Sequence, residues 1–232
     1  LLELKNSIQR QNNQFFKKLN MSKKNLNVRS TIHNFYKRKL KNQKIKKVYL
    51  EFKNKIKSKP SKVYSVAVSG GPDSLALVFL SELYSLKEKV SFNYFLVDHK
   101  LRQDSTNEAK KIKMELQKYN IKCKILTWNK NKKDKNINVQ SSARDARYDL
   151  IIKENIKKKI NYILTAHHSD DLYENFFIRL LRGSGLKGLS SFNYLSSKIK
   201  KNQNIYILRP LLNIPKNDLI YIAKNTFNFF VN

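Results

Sequence analysis

A single cysteine among 232 residues excludes a disulfide framework and any zinc or iron–sulfur site built from thiolates, because each needs at least two. Long apolar runs are missing too. None approaches the roughly 18 to 20 residues of a membrane-spanning helix, so a soluble, cytoplasmic chain with no membrane partner is expected. Glycine is the third scarcity: at the ~7% usual in globular proteins about sixteen would be present, whereas the chain has five. All five sit in two short segments, Gly70 and Gly71 in SGGPDS and Gly183, Gly185 and Gly188 in RGSGLKG. A chain this sparing with glycine keeps it where the backbone needs it. Acidic residues are few as well, 17 against 48 Lys+Arg, for a formal net charge of +31. Such a positive field attracts polyanions and points to a nucleic-acid partner. The alternative is a merely solvated lysine surface, since the excess of 39 Lys and 27 Asn over 9 Arg is what an AT-rich coding bias produces unaided.

What is present supports a folded protein. The chain is 41% hydrophobic, with 13 Phe and 12 Tyr, enough for a real core. Residues 1–62 carry 19 Lys+Arg and two acids, Glu3 and Glu51, while 63–232 carry 29 and 15. The break falls near Pro60, so a basic, partly helical extension (1–62) is expected ahead of a second domain (63–232). Ile45, Val48, Tyr49, Phe52 and Ile56 recur at helical spacing, which predicts an amphipathic helix with lysines on its other side. Packing of that helix on the following domain is one reading, an RNA-binding arm the other. The chain starts without Met and stops in the apolar run FNFFVN, so a fragment of a longer chain is expected.

From Val63 onward, strand and helix patterns alternate. Strands are predicted over 63–69, 90–97, 121–128 and 161–166, and helices over 75–86, 106–119, 139–156 and 169–182, with an exposed loop at 129–138. Strands alternating with helices of this length give a parallel, doubly wound α/β sheet, in which ligands bind beyond the carboxyl ends of the strands.

SGGPDS, Ser69 to Ser74, lies between the first such strand and its helix. Gly70 and Gly71 let the backbone turn and approach a ligand, and Pro72 leads into the helix. The amides at the helix start make an anion nest, to which the hydroxyls of Ser69 and Ser74 add donors. No Gly-Lys-Ser/Thr follows, so this is not the common P-loop. Asp73 is a carboxylate where phosphates are expected, which calls for a bridging Mg²⁺; an ordinary helix N-cap is the alternative.

Three further segments hold candidate residues. VDHKLR puts Asp98 and His99 at the end of the second strand, as nucleotide contacts or, for Asp98, as a loop cap. Arg144 and Arg147 lie at i and i+3 of one helix, spaced to grip phosphate or simply solvated. In AHHSDDLYEN, a helical projection places His167, Asp170, Asp171 and Glu174 on one face, with Leu172, Phe176 and Leu180 opposite. Acids gathered beside a histidine suit a cation, either Mg²⁺ or an amine substrate; a solvated acidic face is the alternative. The glycines of RGSG, Gly183 and Gly185, allow a left-handed cap after this helix, with Arg179 and Arg182 able to reach phosphate.

SGGPDS resembles the pyrophosphate loop of the N-type ATP pyrophosphatases, which share an adenine nucleotide alpha hydrolase-like fold. Taken with VDHKLR, QSSARDARY, AHHSDDLYEN, RLLRGSGLKGL and LRPLL, in that order over 63–215, the chain resembles the tRNA(Ile)-lysidine synthase family. The resemblance implies an ATP-dependent ligase that adenylates the wobble cytidine of a CAU-anticodon isoleucine tRNA and replaces AMP with L-lysine. It implies that Ser69, Gly70, Gly71, Pro72, Asp73 and Ser74 bind ATP, with Asp73 on Mg²⁺, and that Asp98 and His99 hold adenine and ribose. His167, Asp171 and Glu174 match the lysine and reaction centre, and Arg147 and Arg209 the α-phosphate. The family's usual HHxDDQxET reads HHSDDLYEN here, and neither change removes an acid. Two alternatives stay open. A tRNA 2-thiolase of the same superfamily is opposed by the lone Cys123, and a catalytically silent RNA-binding protein by the intact acids and histidine.

Overall fold

A computed structural model describes residues 25–128, 139–185, 188, 192–200, 203–227 and 229–231, with backbone alone for 25–29 and 139–144. Two helices, α1 (Asn25–Lys39) and α2 (Gln43–Lys57), precede the sheet. α2 begins because the Asn42 side chain accepts the Ile45 amide at 3.2 Å, capping the first turn. Its buried residues are the five predicted apolar positions, Ile45, Val48, Tyr49, Phe52 and Ile56, and they join one core with Leu75, Phe79 and Ile222. Burying five large side chains contributes about 1.5–3 kcal/mol each. Part of the lysine face is paired, Lys44 with Asp218 at 2.7 Å and Lys53 with Glu88 at 3.0 Å. The basic residues 1–24 lie outside the described region.

The predicted α/β alternation is present: β1 (Val63–Val68), α3 (Pro72–Ser85), β2 (Ser91–Asp98), α4 (Ser105–Lys118), β3 (Cys123–Thr127), α5 (Val139–Lys158), β4 (Tyr162–Leu164) and α6 (Ser169–Leu181). A hairpin follows, β5 (Leu195–Lys200) and β6 (Gln203–Leu208), and then α7 (Lys216–Thr226). The six-stranded sheet runs β3-β2-β1-β4-β6-β5, parallel except for the β5–β6 pair. Sequence patterning had not marked the hairpin or α7. Strand β5, LSSKIK, is mostly exposed and carries little apolar signal. Edge lysines of this kind discourage pairing with another sheet.

From β1 the sheet runs through β2 to the edge strand β3 on one side and through β4 and β6 to the edge strand β5 on the other, so the chain reverses direction between β1 and β4. In an open α/β sheet the cleft forms at such a point. The loop after β1 and the segment after β4 both open onto it. Among the described residues no helix is long and apolar enough to cross a membrane.

Candidate active site

Helix α3 starts three residues earlier than its apolar pattern predicted, with Gly71 as N-cap and Pro72 in the first turn, where its missing amide costs nothing. SGGPDS is therefore half loop and half helix. Gly70 turns the chain with φ +86°. The Ser74 hydroxyl sits inside this turn: it accepts the amides of Ser69 (3.2 Å) and Gly70 (3.1 Å) and donates to the Gly71 carbonyl (2.9 Å). The Ser69 hydroxyl donates to it at 3.1 Å. The loop is thus folded into a nest by its own two serines. From the far end of the described chain, the Val231 amide donates to the Gly70 carbonyl at 3.0 Å.

Two cavities flank the loop. The larger, about 470 Å³, is lined among others by Ser69, Asp73, Ser74, His99, Arg147 and His167. The second, about 260 Å³, is lined among others by Asp98, His99, Arg102 and Arg147. His99 and Arg147 line both, with Arg147 Nε donating to His99 Nε2 at 3.5 Å. Burial, then the Arg147 cation, pushes the His99 imidazole below its usual pKa, so the ring is neutral near pH 7 and accepts that hydrogen bond. The side chain of Arg144 lies outside the described residues.

Asp98 is buried, and its carboxylate accepts from the Lys100 amide (3.0 Å), the Ser105 hydroxyl (2.9 Å) and the Thr106 hydroxyl (2.7 Å). It holds the β2–α4 loop and so shapes the second cavity's wall. Burial raises its pKa, but these hydrogen bonds and the Lys100 cation outweigh that and hold it below the ordinary carboxylate value. Since the folded pKa is the lower one, Asp98 adds stability that is present above the unfolded pKa and lost as pH falls through the folded value. Asp98→Asn is expected to lower stability by about 1–3 kcal/mol at neutral pH and to flatten the loss below about pH 4. Thermal melts of both proteins between pH 3 and 7 measure this; parallel curves would contradict it.

The helical projection that grouped His167 with the acids needs correcting. α6 begins at Ser169, so His167 precedes the helix and is not on its wheel; His168 is the N-cap. His168, not His167, is the buried histidine beside the acids. Its Nε2 lies 3.6 Å from Asp73 Oδ2 and 3.6 Å from Asp171 Oδ2, and its Nδ1 lies 3.9 Å from Asp170. The Asp73 carboxylate, together with Asp171 and Asp170, raises the imidazole's pKa against the opposing effect of burial. The signal was available, because a helix starting at Ser169 makes residue 168 its cap. Asp171 also accepts the His168 amide at 2.9 Å. His167 instead points its Nδ1 at the Thr165 hydroxyl, 2.9 Å away, on the wall of the larger cavity. Glu174 is exposed one turn along α6, and Arg209 is buried after β6; neither lines the two cavities.

The opposite face of α6 is also not what its periodicity suggests. Among its described residues none is buried, and Phe176 and Leu180 are exposed with Tyr173, Phe177 and Leu181. After α6 the predicted left-handed cap is present: Gly183 has φ +67°, Gly183 N–H bonds to Leu180 O and Ser184 N–H to Arg179 O, each at 3.0 Å, the Schellman pattern. Arg179 is spent on this turn, bonding Asn175 Oδ1 (2.8 Å) and the Gly188 carbonyl (3.0 Å).

Asp73 Oδ1 is buried with no hydrogen-bond partner, while no group of three or more His, Cys, Asp or Glu among the described residues could enclose a metal. One free carboxylate oxygen beside an anion nest fits Mg²⁺ that takes its remaining ligands from phosphates and water. It does not fit a metal caged by protein alone.

Residues 40–232 match the model of the PP-loop domain. The chain belongs to the PP-loop domain family. Curated proteins similar to it include the tRNA(Ile)-lysidine synthases of Orientia tsutsugamushi (strain Boryong), 44% identical over 67% of this chain, and of Rickettsia rickettsii (strain Sheila Smith), 40% identical over 72%. The chain spans about a third of the length of these relatives, 34% in both cases. Among solved structures, it resembles the U34-tRNA thiolase NcsA from Methanococcus maripaludis with its [4Fe-4S] cluster, at TM-score 0.63 and 19% identity over 78% of this chain and 64% of that one. At that identity the likeness concerns the fold.

Proposed function

We propose that this chain is the ATP-using part of a tRNA(Ile)-lysidine synthase, joining L-lysine to C2 of the wobble cytidine in a CAU-anticodon isoleucine tRNA. The observation that carries this reading is the meeting of Asp73 from SGGPDS with His168 and Asp171 from AHHSDD, in a chain 44% identical to a protein of that name. A pyrophosphate-handling loop and an acid-rich helix start then face one cleft.

In the first step the cytidine C2 oxygen attacks the α-phosphorus of ATP, the bond to the bridging oxygen breaks, and pyrophosphate leaves. The N-terminus of α3 supplies its positive end for that leaving group, and the Ser69 and Ser74 hydroxyls, which bond within the loop, turn to donate to it. Arg147 and Arg209 supply cations for the α-phosphate, and Asp98 and His99 border the space for adenine and ribose. Asp73 would hold Mg²⁺, which when bound would supply charge neutralisation at the phosphates. In the second step the lysine ε-amine, having lost a proton, attacks C2, and the C2–O bond breaks to release AMP. Asp171 and Glu174 supply carboxylates for the ammonium, and His167, on the cavity wall, accepts the proton.

The thiolase alternative gains nothing from Cys123. The thiol is 4% exposed, burial pushes its pKa up to about 12, and it lines neither cavity beside the loop. It is therefore an inert core group rather than a sulfur carrier.

Incubation with ATP, Mg²⁺, labelled lysine and the CAU-anticodon tRNA is expected to put label into the tRNA with stoichiometric AMP and pyrophosphate. AMP and pyrophosphate without label would sink the lysine assignment. Neither product would sink the whole reading.

A further inference from the structure

Phe192 belongs to none of the motifs above; it lies between the glycine-rich turn and β5. Its half-buried ring meets two residues from separate parts of the chain. The Arg209 guanidinium carbon is 4.7 Å from the ring centroid, and the His167 imidazole stands nearly perpendicular at 5.3 Å and 87°. The backbone beside Phe192 completes the grip on Arg209. The Asn193 carbonyl accepts from its guanidinium at 2.7 Å, and the Tyr194 carbonyl accepts its amide at 2.9 Å. With Arg209 only 7% exposed, its direction is set by these neighbours rather than by solvent.

We propose that Phe192 is a positioning residue that orients His167 and Arg209 through one ring. Thr165 meets one ring nitrogen of His167, and Phe192 packs edge-to-face on the same ring, so both contacts bear on its orientation. The Phe192 ring also offers its π system to Arg209, whose planar guanidinium stacks on aromatics. A leucine of similar bulk fills the space but presents neither π face nor polarised edge. The consequence is coupling: the group assigned to the lysine proton and the group assigned to the α-phosphate keep a fixed relation, which a reaction in two steps at one carbon requires. This inference rests on the function proposed above, in which His167 and Arg209 act.

The test compares Phe192→Leu and Phe192→Tyr, alone and in an Arg209→Lys background. Phe192→Leu is expected to lower kcat for lysine incorporation about tenfold, with KM for ATP and the melting temperature nearly unchanged, and Phe192→Tyr to restore most of the rate. In the Arg209→Lys background the Phe192→Leu loss shrinks, because the residue acts through its partner. Full multiplicative loss in that background, or a fall in melting temperature that accounts for the lost activity, would overturn the proposal. A readout independent of activity is the NMR signal of His167, one of four histidines, identified with His167→Gln. It should shift in Phe192→Leu and stay in Phe192→Tyr; an unmoved signal in Phe192→Leu overturns the proposal. If the wild type attaches no lysine to tRNA, the functional reading fails, and the NMR comparison still decides whether Phe192 orients His167.

Discussion

Asp73→Ala is expected to cut ATP-dependent pyrophosphate release by about 10²- to 10³-fold, the scale on which one preorganised electrostatic group acts, while tRNA affinity stays within about twofold. Two observations support so large an effect. Asp73 Oδ1 is buried without a partner, a costly state that a cation at this atom would relieve. Oδ2 faces His168 at 3.6 Å, so this carboxylate also ties the loop to the start of α6. Asp73→Asn keeps the shape and removes the charge, and should lose nearly as much activity, because an amide is a poor Mg²⁺ ligand beside phosphate. Stability should change little in either variant, since Asp171 and Asp170 remain beside His168. Pyrophosphate release and filter binding of tRNA separate the two effects. A large binding loss with unaltered release per bound tRNA would make Asp73 a structural residue.

The sheet was legible because β1 to β4 and their helices alternate apolar runs with turn signals, and both signals are local. The β5–β6 hairpin was not legible: Leu195 and Ile199 share a face of the outer strand with Ser197, Ile199 is exposed, and a clear period-2 pattern arises only where one face is buried. In the site, glycine scarcity located both turns correctly, since positive φ at Gly70 and Gly183 is a requirement of the backbone itself. Helical projection failed for His167 because it was carried past the first residue of the helix. It also marked an apolar face on α6 that no described residue of the chain buries, since periodicity states which residues share a face and not what covers it. Phe192 and Val231 were invisible for a different reason. Their roles depend on contacts between segments far apart in sequence, with no local spacing to betray them.

Gly70→Ala is expected to abolish measurable ATP use while leaving a folded protein. A Cβ at residue 70 would lie 2.2 Å from Ile112 Cδ1 and 2.8 Å from its Cγ1, and the backbone there has φ +86°. The two penalties are separable. Strain of a non-glycine residue in the left-handed region costs about 1–2 kcal/mol, and overpacking against α4 about 1–3 kcal/mol. Relief of either would move residue 70, and with it the carbonyl that accepts the Val231 amide and the amide that bonds Ser74, so the nest opens at its centre. Ile112→Val removes the nearest clashing atom at a cost of about 0.5–1.5 kcal/mol. In the double variant, stability should therefore recover toward that of Ile112→Val alone by only part of the overpacking share, because Cγ1 at 2.8 Å stays, and the φ strain remains. Nucleotide binding should recover only in part, because placement of the nest depends on the backbone angle as well as on the space beside it. Melting temperatures and ATP titrations of the four proteins in this cycle measure both quantities. Full recovery of both in the double variant would show that the clash alone had required glycine, and no recovery of either would show that Ile112 does not press on the loop.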